Sequence, residues 1–252
     1  MAFVKALIMM ADYGHDPTET AVPYAAFKKA RFVVQFATEK GEIPECDRRM
    51  TQGITQKLLG AKQSTLELYA QMTASTEWRL PLSWVATEFS LDQFDLVLFP
   101  GGHDKGVRQI IDSPVVHRLV ADYFPQTKKP DGKKVVAAVC HGVMVLSESK
   151  VDGKSVIHDC VTTALPTGFE RIAFWGTRAF LGDYYKTYGA GSENVEESVR
   201  KNLADPKQFK SSLGMAPFVI EDEHYNYISA RFPGDAELFA ERTVKLVQSL
   251  RS

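Results

Sequence analysis

The stretch Val135-Val-Ala-Ala-Val-Cys-His-Gly-Val-Met144 decides the fold. Its first five residues are small or β-branched and wholly apolar, the pattern of a strand buried on both faces. Cys140 follows at once, and His141 to Leu146 continue at helical spacing with no loop between. A strand feeding directly into a helix is half of a β-α-β unit, the building block of a parallel sheet.

Outward from this point, similar short runs predict strands at Val4 to Met10, Phe32 to Ala37, Leu96 to Phe99 and Val161 to Ala164. Between the first two, Pro23 to Ala30 reads as a short helix, with proline tolerated in the first turn. Asp235 to Leu250 reads as a terminal helix, with Phe239, Leu246 and Leu250 near one face and Asp235 capping it after the Pro233-Gly234 turn. The expected class is α/β: a doubly wound, mostly parallel, flavodoxin-like sheet sandwiched by helices. Two stretches exceed that plan. Residues 47–77 are polar and partly helical in pattern. Residues 169–212 open with many aromatics and close with the charged run Ser192 to Lys210, where Val195, Val199 and Leu203 recur as on a surface helix. No repeat, low-complexity tract or Gly/Ser linker divides the chain, so residues 1–252 are expected to form a single domain carrying these two insertions.

Thirty Lys and Arg against 31 Asp and Glu give a net charge of -1, without the basic excess that binds nucleic acid. The apolar run near the N-terminus is far shorter than the ~20 residues of a membrane span. It also lacks a small-residue cleavage site, so an intracellular, cytoplasmic protein is expected, with no membrane partner. Cys46, Cys140 and Cys160 make no even disulfide framework, which fits a reducing compartment. There is no HExxH, paired CxxC, Walker loop or GxGxxG, so neither a metal nor a nucleotide cofactor is expected.

The chemistry centres on Cys140. A side chain on a strand-to-helix turn stands above the carboxyl edge of the sheet, where open α/β folds bind ligands. The small residues Ala138 and Gly142 relieve crowding there. Helix N–H groups beginning at His141 favour thiolate over thiol, so the sulfur is expected to be acidic and accessible. The alternative is a small buried cysteine closing a core strand. The Pro100-Gly-Gly102 turn follows another predicted strand, and its N–H groups could stabilise an oxyanion at the same edge.

Three segments, Phe99-Pro-Gly-Gly-His-Asp104, Ala137-Ala-Val-Cys-His-Gly142 and Pro17-Thr-Glu-Thr-Ala-Val-Pro-Tyr24, resemble signature regions of the DJ-1/PfpI superfamily, more narrowly its heat-shock-protein-31-like glyoxalase III and chaperone class. The likeness extends through Val33 to Pro44 and Tyr227 to Asp235, most of the chain. It implies the DJ-1/PfpI type of fold, a homodimer, Cys140 as nucleophile and His141 as its histidine partner. It further implies Glu170 as an acidic third member and Glu19 as a buried carboxyl beside the cysteine. A carboxyl confined near a thiolate has a raised pKa and can shuttle protons near neutrality. For Glu170 and Glu19 an ordinary exposed glutamate is the alternative.

His15 and His103 lie in loops expected to approach the site, where they could contact substrate beside Gly101 and Gly102. Cys46, among charges in a loop at Pro44-Glu-Cys-Asp47, and Cys160, at the start of a predicted strand, are expected bystanders. The aromatic run Phe174 to Tyr188 could roof the site or serve as core or subunit contact. By resemblance the activity is a cofactor-independent glyoxalase acting on methylglyoxal-like 2-oxoaldehydes. The aromatic run motivates a second possibility, hydration of another small electrophile such as an isonitrile or a specialised metabolite. A third is a stress-responsive holdase or redox sensor. A glutamine amidotransferase is disfavoured because no later His-x-Glu appears; His224 is followed by Tyr225 and Asn226.

Overall fold

The computed structural model describes residues 3–251 except 54, 55 and 57–59, so part of the predicted 47–77 insertion lies outside the described residues. Seven strands form one sheet in the order Val219–Glu221, Tyr227–Ala230, Val135–Val139, Leu96–Phe99, Lys5–Met9, Val33–Thr38, Leu82–Ser83. All neighbours run parallel except the first pair, which is antiparallel. The fold is the expected α/β class with a mostly parallel sheet flanked by helices. Val135–Val139 is buried along its whole length, as a strand with neighbours on both sides and helices over both faces must be. One contiguous apolar core runs from Ala6 to Val247. No helix among the described residues is long and apolar enough to cross a membrane.

Helices Pro17–Lys29 and Ala236–Ser249 pack together and against the sheet, and Gly142–Glu148 packs with Arg108–Ile111, Pro114–Tyr123 and Val195–Lys201. Val195 and Val199 bury one face of the last of these, as their spacing predicts.

Four details differ from the sequence reading. The first helix begins at Pro17, six residues before Pro23, because Asp16 caps it and Pro17 occupies a first-turn position that needs no N–H donor. Val161 to Ala164 is not a strand. The sheet position beside Val135–Val139 belongs to Tyr227–Ala230, and Thr162 and Thr163 instead bond to Tyr227 and Ser229. Asp235 stands at the start of the last helix, but its carboxylate does not cap it. That group holds Arg231 through two nitrogens at 2.7 and 2.8 Å, both residues fully buried. Cys46 is a buried residue of a short strand paired with Tyr13–His15 and not part of a solvated loop.

The order of strands places the site. Lys5–Met9, Leu96–Phe99 and Val135–Val139 are adjacent, and the winding direction reverses between the first two. Their carboxyl ends deliver the segment carrying His15 and Glu19, the Gly101-Gly102 turn and Cys140 to a single crevice, as the switch-point rule for open α/β sheets requires.

Candidate active site

Cys140 has φ +57, a left-handed backbone that a non-glycine residue seldom adopts and that functional turns retain when packing enforces it. The packing here is tight enough to do so. A Cβ on Gly142 would lie 2.1 Å from the Phe99 carbonyl oxygen. One on Gly101 would lie 2.8 Å from the Cys140 Cβ, 2.9 Å from Glu19 Oε2 and 2.7 Å from the His141 nitrogen. Bare backbone is therefore needed on both sides of the cysteine.

His141 follows on the same turn, with Nδ1 3.4 Å from the Cys140 sulfur. Its other nitrogen, Nε2, lies 2.9 Å from Thr187 Oγ1. Thr187 donates its single hydroxyl proton to the His103 carbonyl at 3.2 Å, so Oγ1 must accept from His141 Nε2–H. This network assigns the tautomer: Nδ1 carries the lone pair and faces the sulfur. Burial, with further contributions from His103 and Lys186, holds the His141 pKa well below the usual histidine value, so the ring is neutral at pH 7.

Glu170 does not complete this chain. Both ring nitrogens of His141 are engaged by other groups, and Glu170 accepts from the Val195 N–H at 2.9 Å and pairs with Lys186 at 3.4 Å. It is not an exposed helix residue either, being buried in the first turn of Thr167–Leu181. Lys186 also reaches the Ser192 carbonyl and Asn194 Oδ1. Glu170 thus anchors the residue next to Thr187. Thr187 was not anticipated, for threonine carries no local signature, although it lies inside the aromatic run already singled out.

Glu19 is buried in the third residue of its helix, with Oε2 accepting from Gly101 N–H at 2.9 Å and Oε1 without a partner among the described residues. Burial, and then the charge of Asp16, push its carboxyl well above the ordinary range. Asp16 is raised to about 6, chiefly by burial. The Gly101 amide is therefore committed to Glu19 and cannot serve an oxyanion; the Gly102 and His141 amides remain for that role.

The cysteine is neither accessible nor acidic as expected. It is 1% exposed, and burial followed by the Glu19 charge pushes its thiol up. The aromatic run approaches the site through His103. Tyr185 packs on His103 at 4.8 Å between ring centroids, Tyr184 meets Tyr185 edge-on and bonds to Asp47, and Phe174 joins them in a small separate cluster. Asp47 and Tyr184 thereby tie the two insertions together beside His103.

His15 is buried, not solvated: Nε2 lies 3.2 Å from the Tyr69 hydroxyl, Nδ1 has no partner among the described residues, and burial lowers its pKa to about 3. It shares with Gly101 and His141 a cavity of about 10 Å³, too small for a substrate carbon skeleton. His103 is partly exposed, its ring centroid 5.0 Å from that of His141 and its pKa lowered by burial to about 4. The Cys140 sulfur and one ring nitrogen from each of His103 and His141 lie within 4.8 Å of one another, a set able to ligate a metal. Sequence spacing did not reveal it, because His103 reaches the elbow only through sheet topology.

Residues 10–213 match the family model described as ThiJ/PfpI family-like. An uncharacterized protein of Schizosaccharomyces pombe is 29% identical over 246 residues, covering 98% of this chain and 85% of its own length. Among solved structures, glyoxalase III from Candida albicans is 16% identical with TM-score 0.70, covering 96% of this chain and 97% of its own. DJ-1beta of Drosophila melanogaster is 16% identical with TM-score 0.57, covering 99% and 96%. At these identities the structures show a shared fold.

Proposed function

Given that the chain belongs to the ThiJ/PfpI (DJ-1) family, we propose that it is a cysteine-nucleophile enzyme that converts methylglyoxal-like 2-oxoaldehydes to 2-hydroxy acids without glutathione. The observation carrying this reading is the pairing at one strand edge of a sulfur 3.4 Å from an unprotonated imidazole nitrogen with a buried carboxyl of raised pKa. That the fold is shared with a glyoxalase III adds support.

Nδ1 of His141 takes the Cys140 proton as the sulfur attacks the aldehyde carbon, giving a hemithioacetal. The Gly102 and His141 amides meet the developing oxyanion. Glu19, held as the neutral acid at rest by its raised pKa, gives its proton to that oxyanion, and the carboxylate so formed takes the proton from the former aldehyde carbon while the ketone oxygen is protonated by His141. A carboxylate of raised pKa is a stronger base than an ordinary one. Glu19 returns its proton to the adjacent carbon of the resulting ene-diol and takes back the one on the former aldehyde oxygen, and water hydrolyses the thioester to release the 2-hydroxy acid and the thiol. A small substrate suits a sulfur that is only 1% exposed. The test is methylglyoxal turnover by thiol-reduced protein without glutathione. The reading requires activity that Cys140→Ala and Glu19→Gln both lose while remaining folded, and absence of turnover in the unmodified protein defeats it.

One observation favours a second role. Helix Thr167–Leu181 exposes Ile172, Trp175 and Phe180, a surface suited to self-association or to holding unfolding clients. Suppression of client aggregation that survives Cys140→Ala would support it.

A further inference from the structure

We propose that Cys140, His141 and His103 together form a three-ligand site for a soft divalent transition cation, with zinc as the type, and that its occupation silences the thiol. The site goes beyond the glyoxalase reading and does not depend on it; only the loss of turnover does.

Tetrahedral zinc bound at ~2.3 Å to sulfur and ~2.0–2.1 Å to nitrogen separates those two ligands by about 3.6 Å. Cys140 Sγ and His141 Nδ1 already stand 3.4 Å apart. The third donor lies within 4.8 Å of both, so a small rotation of the His103 ring closes the set. Turning it breaks no hydrogen bond, since neither nitrogen has a hydrogen-bond partner among the described residues, and its contacts are ring packing with His141, Tyr184 and Tyr185. Being partly exposed, it also gives a cation its way in.

The outer support is in place. Metal-ligating histidines donate their other N–H to a fixed acceptor, which sets the tautomer and raises ligand basicity. Here Thr187 Oγ1 accepts from His141 Nε2–H while its own proton goes to the His103 carbonyl. One hydroxyl braces two of the three ligating residues.

Binding exchanges cation-bound waters for the two nitrogens and the sulfur. The Cys140 S–H bond breaks, its electron pair forms the sulfur–metal bond, and one proton leaves to solvent; nothing is oxidised or reduced. A water completes the fourth position. With sulfur and Nδ1 both on the metal, neither nucleophile nor base remains.

Cobalt(II) chloride titrated into the full, thiol-reduced, chelator-treated chain is the test, since thiolate bound to cobalt gives charge-transfer absorption in the near ultraviolet. One equivalent should develop that band, zinc chloride should abolish it by displacement, and a chelator should reverse both. Cys140→Ser should give no band, and His103→Ala should weaken binding by about tenfold or more. His103→Gln, which keeps volume and polarity, serves if the alanine variant does not fold by circular dichroism. An absent band, a band that persists in Cys140→Ser, or unchanged affinity in the folded His103 variant overturns the proposal. Methylglyoxal is not needed for any of these readings, so failure of the glyoxalase assignment would be seen separately.

Discussion

Replacing Thr187 by valine keeps its shape and removes one oxygen. In the resting protein that oxygen accepts from His141 Nε2–H at 2.9 Å, a bond between neutral groups worth about 0.5–1.5 kcal/mol. Once His141 has taken the thiol proton the same bond has a charged donor and is worth about 1.5–3 kcal/mol. The difference, ~1–1.5 kcal/mol, is what valine withdraws from the step that forms the thiolate, or about tenfold in rate. Valine also frees the ring to adopt the other tautomer, with Nδ1 protonated toward the sulfur and useless as a base, which lowers the rate further. A total fall in kcat/KM of roughly 10–100-fold is expected, with Thr187→Ser restoring most of it. Stopped-flow turnover would measure it, beside thiol alkylation followed against pH, where Thr187→Val should shift the reactive limb to higher pH. If Thr187→Val stays within about twofold of the unmodified protein in both measurements, or if serine is as damaging as valine, the positioning role of Thr187 is wrong.

Asp16 and Glu19 are raised by burial, so the native chain binds their protons more tightly than the unfolded chain, and their contribution to stability falls as pH rises through the folded pKa. For Asp16 that window runs from about 4 to about 6. Asp16→Asn, which still caps the helix, should flatten this part of a denaturation-against-pH profile, and Glu19→Gln should raise the melting temperature by a margin that widens with pH. Gly142→Ala forces a methyl into the Phe99 carbonyl at 2.1 Å and should cost about 2–3 kcal/mol in urea unfolding, along with the elbow geometry and activity. Glu170→Gln leaves Lys186 buried beside a neutral group, and should cost about 3 kcal/mol of stability. At equal folded concentration it should damage turnover less than Thr187→Val does. Arg231→Leu strips the buried Asp235 of its partner and should destabilise by about 3–5 kcal/mol in the same unfolding assay.

The apolar strands could be read because full burial in a parallel sheet leaves continuous runs such as Val135 to Val139, and the elbow because Cys140 follows such a run without a loop. Tyr227–Ala230 escaped notice as a strand: Tyr and Ser interrupt its apolar character, yet both are buried by side-chain bonds to Thr162 and Thr163. Those same threonines made Val161 to Ala164 look like a strand. Periodicity registers apolar and β-branched character, but it cannot register which segment wins the place beside Val135–Val139. Cys140, His141, Glu19, His15, His103 and the glycine turn do meet at one sheet edge. What the sequence concealed was the state of the groups there. Local pattern placed a helix N-terminus beside the sulfur and so suggested an acidic thiol, whereas its burial beside Gly101, Glu19 and His103 depends on contacts between residues far apart in the chain. For the same reason the acid assigned to the third place lies with Lys186, and a hydroxyl holds the histidine.

The central claim is that Cys140 carries substrate covalently, and acid-quenched mass spectrometry of the reduced protein mixed with methylglyoxal tests it most directly. The account predicts a single thioester adduct per chain, mapped to the peptide containing Cys140, that forms and decays in step with the 2-hydroxy acid and is missing in Cys140→Ala. Product formed at an undiminished rate by Cys140→Ala, or an equivalent adduct on Cys46 or Cys160, would contradict it.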